Sequence, residues 1–148
     1  MKTNFIQVFI LLASVGMTTT ACSQQESGHS GQTTMQDGEE YRAEHVSLDE
    51  FHTIVNEGDG QLVDVRRPEE YAAGHAAGAV NINYLDDGFL ENALAGLEKD
   101  KAVYLYCASG NRSSKAMQVL SDAGFKEIYN LRGAGFRQWE SAGYPVEK

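Results

Sequence analysis

The sequence predicts an α/β domain with a mostly parallel central sheet flanked by helices on both faces. Three observations carry this. Ala102, Val103, Tyr104, Leu105 and Tyr106 form an unbroken apolar run with β-branched and aromatic members, the pattern of a strand buried on both faces. Shorter apolar runs at Leu62, Val63 and Val65, at Val80, Asn81 and Ile82, and from Ile128 to Leu131 are separated by segments with helical spacing. Strands that alternate with helices pair in parallel, because each crossover helix returns the chain to the same end of the sheet.

The N-terminus reads differently. Met1 to Ala21 carries one basic residue, Lys2, then an apolar segment from Phe5 to Met17 and a run of threonines, which is a secretory signal pattern (residues 1–21). The apolar segment is shorter than the roughly 20 residues a spanning helix needs. Thr19-Thr20-Ala21-Cys22 resembles the lipobox of bacterial lipoproteins, with Thr19 where that family usually has an apolar residue. The resemblance implies that Cys22 carries lipid; an ordinary cleavage near Ala21 would instead leave it a free thiol. Residues 22–40 contain Gln, Ser, Gly and Thr, with Met35 as the one large apolar residue, and read as a flexible tether.

The folded domain is expected over residues 41–148, enough for a single hydrophobic core. His45 and Val46 suggest a short first strand. Ser47-Leu48-Asp49-Glu50 is a capping box that opens a helix with Leu48, Phe51, Ile54 and Val55 inward, and Gly58 ends it. The strand around Asp64 leads through Arg66 and Arg67 to Pro68 at a first helical position. Asp86 or Asp87 caps a helix whose apolar residues Phe89, Leu90, Ala93, Leu94 and Leu97 read as core. Ile128 to Leu131 is the last strand expected, and Phe136 and Trp139 at helical spacing are read as core.

The chemistry centres on Cys107. It ends the apolar run and is followed by Ala108, Ser109, Gly110, Asn111, Arg112 and Ser113, small and polar, before Ala116, Val119, Leu120 and Ala123 recur at helical spacing. A short loop of this kind turns successive backbone N–H groups inward and adds the positive end of a helix dipole, which together hold an anion. Cysteines at helix N-termini have pKa values lowered from about 8.5 into a range of roughly 3.5 to 7.5. On the residues alone, Cys107 is either such a thiolate or a small apolar residue closing a core strand. Asp64, flanked by arginines, reads as an ion-paired carboxylate that fixes a loop, or as an acid or base.

Cys107-Ala108-Ser109-Gly110-Asn111-Arg112-Ser113 resembles the active-site loop of single-domain rhodaneses. So do Asp64-Val65-Arg66, Glu70-Tyr71, Gly74-His75-Ala76-Ala77-Gly78-Ala79 and the ending from Leu131 to Val146, with Trp139 and Gly143-Tyr144-Pro145. The family more often has Ile-Pro at Ala76-Ala77, and here one extra residue, Ala134, splits the glycine pair before Trp139. The resemblance implies a sulfurtransferase: Cys107 takes a sulfane sulfur from a donor such as thiosulfate and passes the persulfide to a thiol or cyanide. It makes Asp64 and Arg66 supporting residues and assigns His75 to a turn that shapes the fold. Arg112, five positions after Cys107, suits a loop sized for one sulfur atom and not for the phosphate held by related phosphatases. Its guanidinium either receives an anionic donor or pairs with an acid to brace the loop.

Net charge is −9, which argues against nucleic acid and against electrostatic docking to anionic lipid. No Cys or His cluster has metal-ligand spacing, so the site residues include no metal ligands and no cofactor is implied. The expected partners are a small sulfur-containing anion or thiol, a protein sulfur acceptor, and a membrane reached through the lipid at Cys22. The expected location is the bacterial cell envelope, on the outer membrane facing the periplasm, since Ser23 follows the cysteine. A function of another class is a tethered persulfide carrier or interaction module that acts with a second envelope protein. In an oxidising compartment a low-pKa thiol is pushed towards sulfenic acid or mixed disulfide, so a reductant or steady sulfur loading is needed.

Overall fold

The computed structural model describes residues 31–36 and 39–148; the signal segment, Cys22 and the tether up to residue 30 lie outside the described residues. In chain order the elements are β1 (Gly31–Gln36), β2 (Glu39–Val46), α1 (Leu48–Glu57), β3 (Gln61–Asp64), α2 (Pro68–Ala72), β4 (His75–Ala76) and β5 (Val80–Asn81). There follow α3 (Phe89–Gly96), β6 (Val103–Tyr106), α4 (Asn111–Asp122), β7 (Glu127–Leu131), α5 (Phe136–Ser141) and β8 (Val146–Glu147). A six-stranded sheet has the order β1-β2-β7-β6-β3-β5, in which only the β1/β2 pair is antiparallel.

The expected fold class is therefore the observed one, and β6 shows why its sequence is apolar throughout. Val103, Leu105 and Cys107 face one side, where they pack with Phe89, Ala93 and Leu97 of the α3 segment and Ala116 and Leu120 of α4. Tyr104 and Tyr106 face the other side, with Phe51 of α1, Trp139 of α5 and the partly buried Tyr71 of α2. Parallel pairing of Asp64 with Tyr106, and of Leu105 with Asn130, brings the carboxyl ends of β3, β6 and β7 to one edge of the sheet. Cys107 leaves the sheet at that edge, where ligands sit in open parallel sheets.

Several expectations are corrected. Gly31–Gln36, read as tether, forms β1 and pairs with β2 from Gly31 with Glu44 through Gln36 with Glu39. The first strand accordingly runs back to Glu39, well before His45. A polar composition does not forbid this, because an outer strand is held by ladder hydrogen bonds and needs no apolar face of its own. Leu90 and Leu94 are exposed, at 37% and 45%, and only Phe89, Ala93 and Leu97 of that segment enter the core. The N-cap of α3 is Gly88, with Asp86 Oδ1 accepting the Gly88 N–H at 2.8 Å. Ile82 lies just past β5 but is buried. His75, read as part of a turn, lies in β4, which pairs antiparallel with a strand the sequence did not reveal, β8.

Candidate active site

Cys107 is fully buried at the head of the four-residue connection between β6 and α4. The chain turns there because Gly110 adopts φ +88°, and a Cβ at that position would stand 3.2 Å from the Gly133 amide nitrogen and 3.3 Å from the Leu131 carbonyl oxygen. With the turn made, the Gly110 N–H donates to Cys107 Sγ at 3.1 Å and the Ser113 hydroxyl lies 3.5 Å from the same sulfur. Burial pushes the thiol pKa up. The Ser113 hydroxyl and the backbone N–H groups of Ser109, Ser113 and Gly110 outweigh it, and the net shift is downward. The structure thus assembles around one sulfur the cradle that the loop sequence implied.

The glycine-rich segment after β7 closes the back of the loop. Phe136 N–H donates to the Cys107 carbonyl at 3.0 Å. Gly135 packs so tightly that a Cβ there would meet the Ala108 carbonyl oxygen at 2.2 Å and the Cys107 carbonyl oxygen at 2.5 Å. The extra residue, Ala134, is itself buried beneath this contact.

Arg112 and Arg66 are each closed by an acid. Arg112 makes a bidentate pair with Glu70 of α2, at 2.7 and 3.0 Å, so of its two readings the bracing one matches the geometry. Glu70 also accepts the Arg67 N–H at 3.1 Å, and its carboxyl is held at a pKa of about 2, chiefly by the Arg112 hydrogen bonds. Arg66 is bound to Asp64 through Nε and a terminal nitrogen at 2.6 to 3.0 Å, and it donates to the Gly74 carbonyl at 2.6 Å. Its guanidinium lies 4.3 Å from the centre of the Phe136 ring. Asp64 is fully buried, so the pair ties the end of β3 to the turn before β4 and to the start of α5.

Arg66, Glu70, Ala108, Phe136, Arg137 and Glu140 line a cleft of about 270 Å³ beside the loop, with Ala108 and Ser109 exposed at its side. Of the predicted residues, Cys107, Gly110 and Ser113 converge on the sulfur and Arg112, Asp64 and Arg66 brace the surroundings, while Asn111 is exposed at the start of α4. Cys22 lies outside the described residues. Sequence reasoning missed Glu70 as the partner of Arg112, and missed Gly135, Arg137, Glu140, Ser114 and Asn130. The signals for Glu70 were its place in the first turn of α2 and the Glu70-Tyr71 motif of the resemblance, and neither names Arg112.

Comparison with known proteins bears on this geometry. The chain is 46% identical over 79 residues to the uncharacterized protein YqhL of Bacillus subtilis, an alignment spanning 53% of this chain and 60% of that protein. It is 34% identical over 111 residues to thiosulfate sulfurtransferase 16 (chloroplastic) of Arabidopsis thaliana, covering 69% of this chain and 91% of that protein. Among solved structures, the rhodanese-like domain of the Anabaena protein Alr3790 has a TM-score of 0.61 at 28% identity, covering 70% of this chain and 77% of the other. A rhodanese-related protein from Thermoplasma volcanium has a TM-score of 0.58 at 30% identity, covering 70% of this chain and 96% of the other. The family model described as the rhodanese-like domain matches residues 47–142, and the chain belongs to that family.

Proposed function

We propose that the chain is a sulfurtransferase that works through a persulfide on Cys107. The Cys107 thiolate attacks the outer, sulfane sulfur of a donor such as thiosulfate. The donor's S–S bond breaks, sulfite leaves with the bonding pair, and Cys107 carries a terminal sulfur bearing the negative charge. A cyanide or thiolate acceptor then attacks that outer sulfur and Cys107 leaves as thiolate, ready for another round.

One observation carries this reading: the Cys107 sulfur lies within reach of the Gly110 N–H and the Ser113 hydroxyl, in a loop whose N–H groups lower its pKa. An added sulfur extends about 2.05 Å from Sγ, so the charge it carries stays within the cradle. The Arabidopsis relative's name supports thiosulfate as a donor to test first.

The test is the intact mass of the protein before and after thiosulfate, for the wild type and Cys107→Ala, with thiocyanate release followed from added cyanide. A gain of one sulfur that requires Cys107 and is discharged repeatedly by cyanide is the expected result. A gain without turnover supports the alternative, a carrier that hands sulfur to a partner protein, and the closure of Arg112 and Arg66 by acids favours keeping that alternative. No gain from thiosulfate or polysulfide returns Cys107 to the role of a core residue. The location is a proposal of the same kind, resting on sequence alone: lipid on Cys22 holds the domain at the periplasmic face of the envelope. Incorporation of a labelled fatty acid by the wild type and not by Cys22→Ala is its test.

A further inference from the structure

The Gly110 carbonyl oxygen is surrounded by three donors. The Ser114 N–H reaches it at 3.0 Å, the Ser114 hydroxyl at 2.6 Å and the Ser113 hydroxyl at 3.2 Å. A carbonyl oxygen has two lone pairs, and a serine hydroxyl has one proton. Ser113 therefore faces a choice between this oxygen and the Cys107 sulfur, 3.5 Å away.

Ser114 decides that choice, and a residue from the neighbouring strand holds Ser114 in place. Asn130 of β7, fully buried, donates one amide N–H to Ser114 Oγ at 3.0 Å and has Nδ2 2.8 Å from His45 Nδ1. Its Oδ1 is buried and finds no hydrogen-bond partner among the described residues, so the amide acts here as a donor only. A hydroxyl that accepts from Asn130 has its own proton directed elsewhere, and the Gly110 oxygen is the acceptor at 2.6 Å. The chain of bonds runs in one direction, from Asn130 through Ser114 to Gly110.

We propose that Ser114 and Asn130 are positioning residues for the chemistry at Cys107: Ser114, oriented by Asn130, fills the acceptor sites of the Gly110 carbonyl and so reserves the Ser113 proton for the sulfur. The inference rests on Cys107 being the reacting sulfur and adds how its charge is held. Without the Ser114 hydroxyl, a lone pair on Gly110 opens, and the Ser113 proton is shared between oxygen and sulfur. The charged groups facing the loop are Arg112 with Glu70, Arg66 with Asp64, Arg137 and Glu140 of α5, and Arg132 after β7 beside Gly110, with His45 of β2 behind Asn130. Substitution at Ser114 leaves all of them in place.

The experiment measures the apparent pKa of Cys107 in the full chain from the pH dependence of iodoacetamide alkylation, read on the tryptic peptide that carries Cys107 so that Cys22 does not contribute. Ser114→Ala should raise it by about 0.5 to 1, and Ser114→Thr, which keeps the hydroxyl, should restore the wild-type value. Ser113→Ala should raise it further. In the Ser113→Ala background, Ser114→Ala should add nothing, because the group it acts through is gone. An equal rise in both backgrounds, or no rise in either, overturns the proposal, as does a wild-type thiol of ordinary pKa. Thiosulfate loading of the same preparations is read separately: absence of loading with the pKa pattern intact removes the sulfurtransferase reading and leaves this relay standing.

Discussion

Asp64→Asn tests whether the buried pair beside the loop is a brace or an acid. Asp64 accepts the Arg66 backbone N–H at 2.9 Å and three further contacts from the guanidinium, all within a site where Asp64 is fully buried and the Arg66 side chain is 6% exposed. The amide keeps the shape but removes the charge, and turns an N–H towards donors that need an acceptor. Removing one member of a buried pair leaves the other charge uncompensated, at a cost of about 3 to 5 kcal/mol. For a domain of this size each kcal/mol lowers Tm by roughly 4 °C or more, so a fall of about 12 °C or more is expected in a thermal melt followed by circular dichroism. Sulfur loading by the fraction that remains folded should keep its pH profile. A Tm change of less than about 4 °C, or a pH profile that loses a limb, would refute the bracing role.

Three further outcomes follow from the geometry. Gly135→Ala places a methyl against the carbonyls of Cys107 and Ala108 and should slow sulfur loading by about tenfold or more, the equivalent of about 1.4 kcal/mol from an overpacked loop; a wild-type rate would show that the loop moves aside freely. Glu70 has its pKa lowered from 4.5 to about 2, so its stabilisation is complete above pH 4.5 and is lost as pH falls towards 2. With its side chain 35% exposed, screening leaves that contribution at about 1 kcal/mol, and Glu70→Gln should flatten the acid limb of Tm against pH by that amount. Burial, then Arg132, lowers the His45 pKa below 6.5, so the unfolded chain takes up the proton first and stability falls as pH drops below that value. His45→Gln should remove this slope in denaturant unfolding between pH 7.5 and 5.5, and an unchanged slope would place the titration elsewhere.

The parallel core was legible because β6 and its neighbours are buried on both faces and must be apolar at every position. The loop after Cys107 was legible as a strand-to-helix connection from its small polar residues, whereas the residues alone left the thiol open between a thiolate and a core residue and the family resemblance favoured the thiolate. The acid that closes Arg112 was not, since 42 residues separate Arg112 from Glu70 and nothing in the local pattern of α2 names a partner. Leu90 and Leu94 misled because α3 has polar side chains only at Glu91 and Asn92, too few to mark how wide its outer face is. The strands β4 and β8 are two residues each, too short for any alternation, and their pairing depends on where α5 delivers the chain. In β1 the informative feature was the dipeptide Asp37-Gly38 between two stretches able to pair, a strong hairpin signal that composition alone obscured.

The charge arrangement makes one more property testable. The protein carries a net charge of −9, and Arg66 and Arg112 are neutralised by Asp64 and Glu70. The sulfur anion is therefore held by N–H dipoles and the Ser113 hydroxyl, whose reach is short, and a doubly charged donor approaches through a repulsive field. Salt screens that field, with a Debye length of about 10 Å at 0.1 M, while leaving contact hydrogen bonds almost untouched. The second-order rate of sulfur loading from thiosulfate should thus rise as ionic strength increases from about 0.01 to 0.3 M, and loading from an uncharged polysulfane should not change. The opposite sign, a rate that falls with salt, would mean that an open cation captures the donor. Arg137, which lines the cleft and has no acid partner among the described residues, is the residue that such a result would indict, and Arg137→Ala would then abolish the salt dependence.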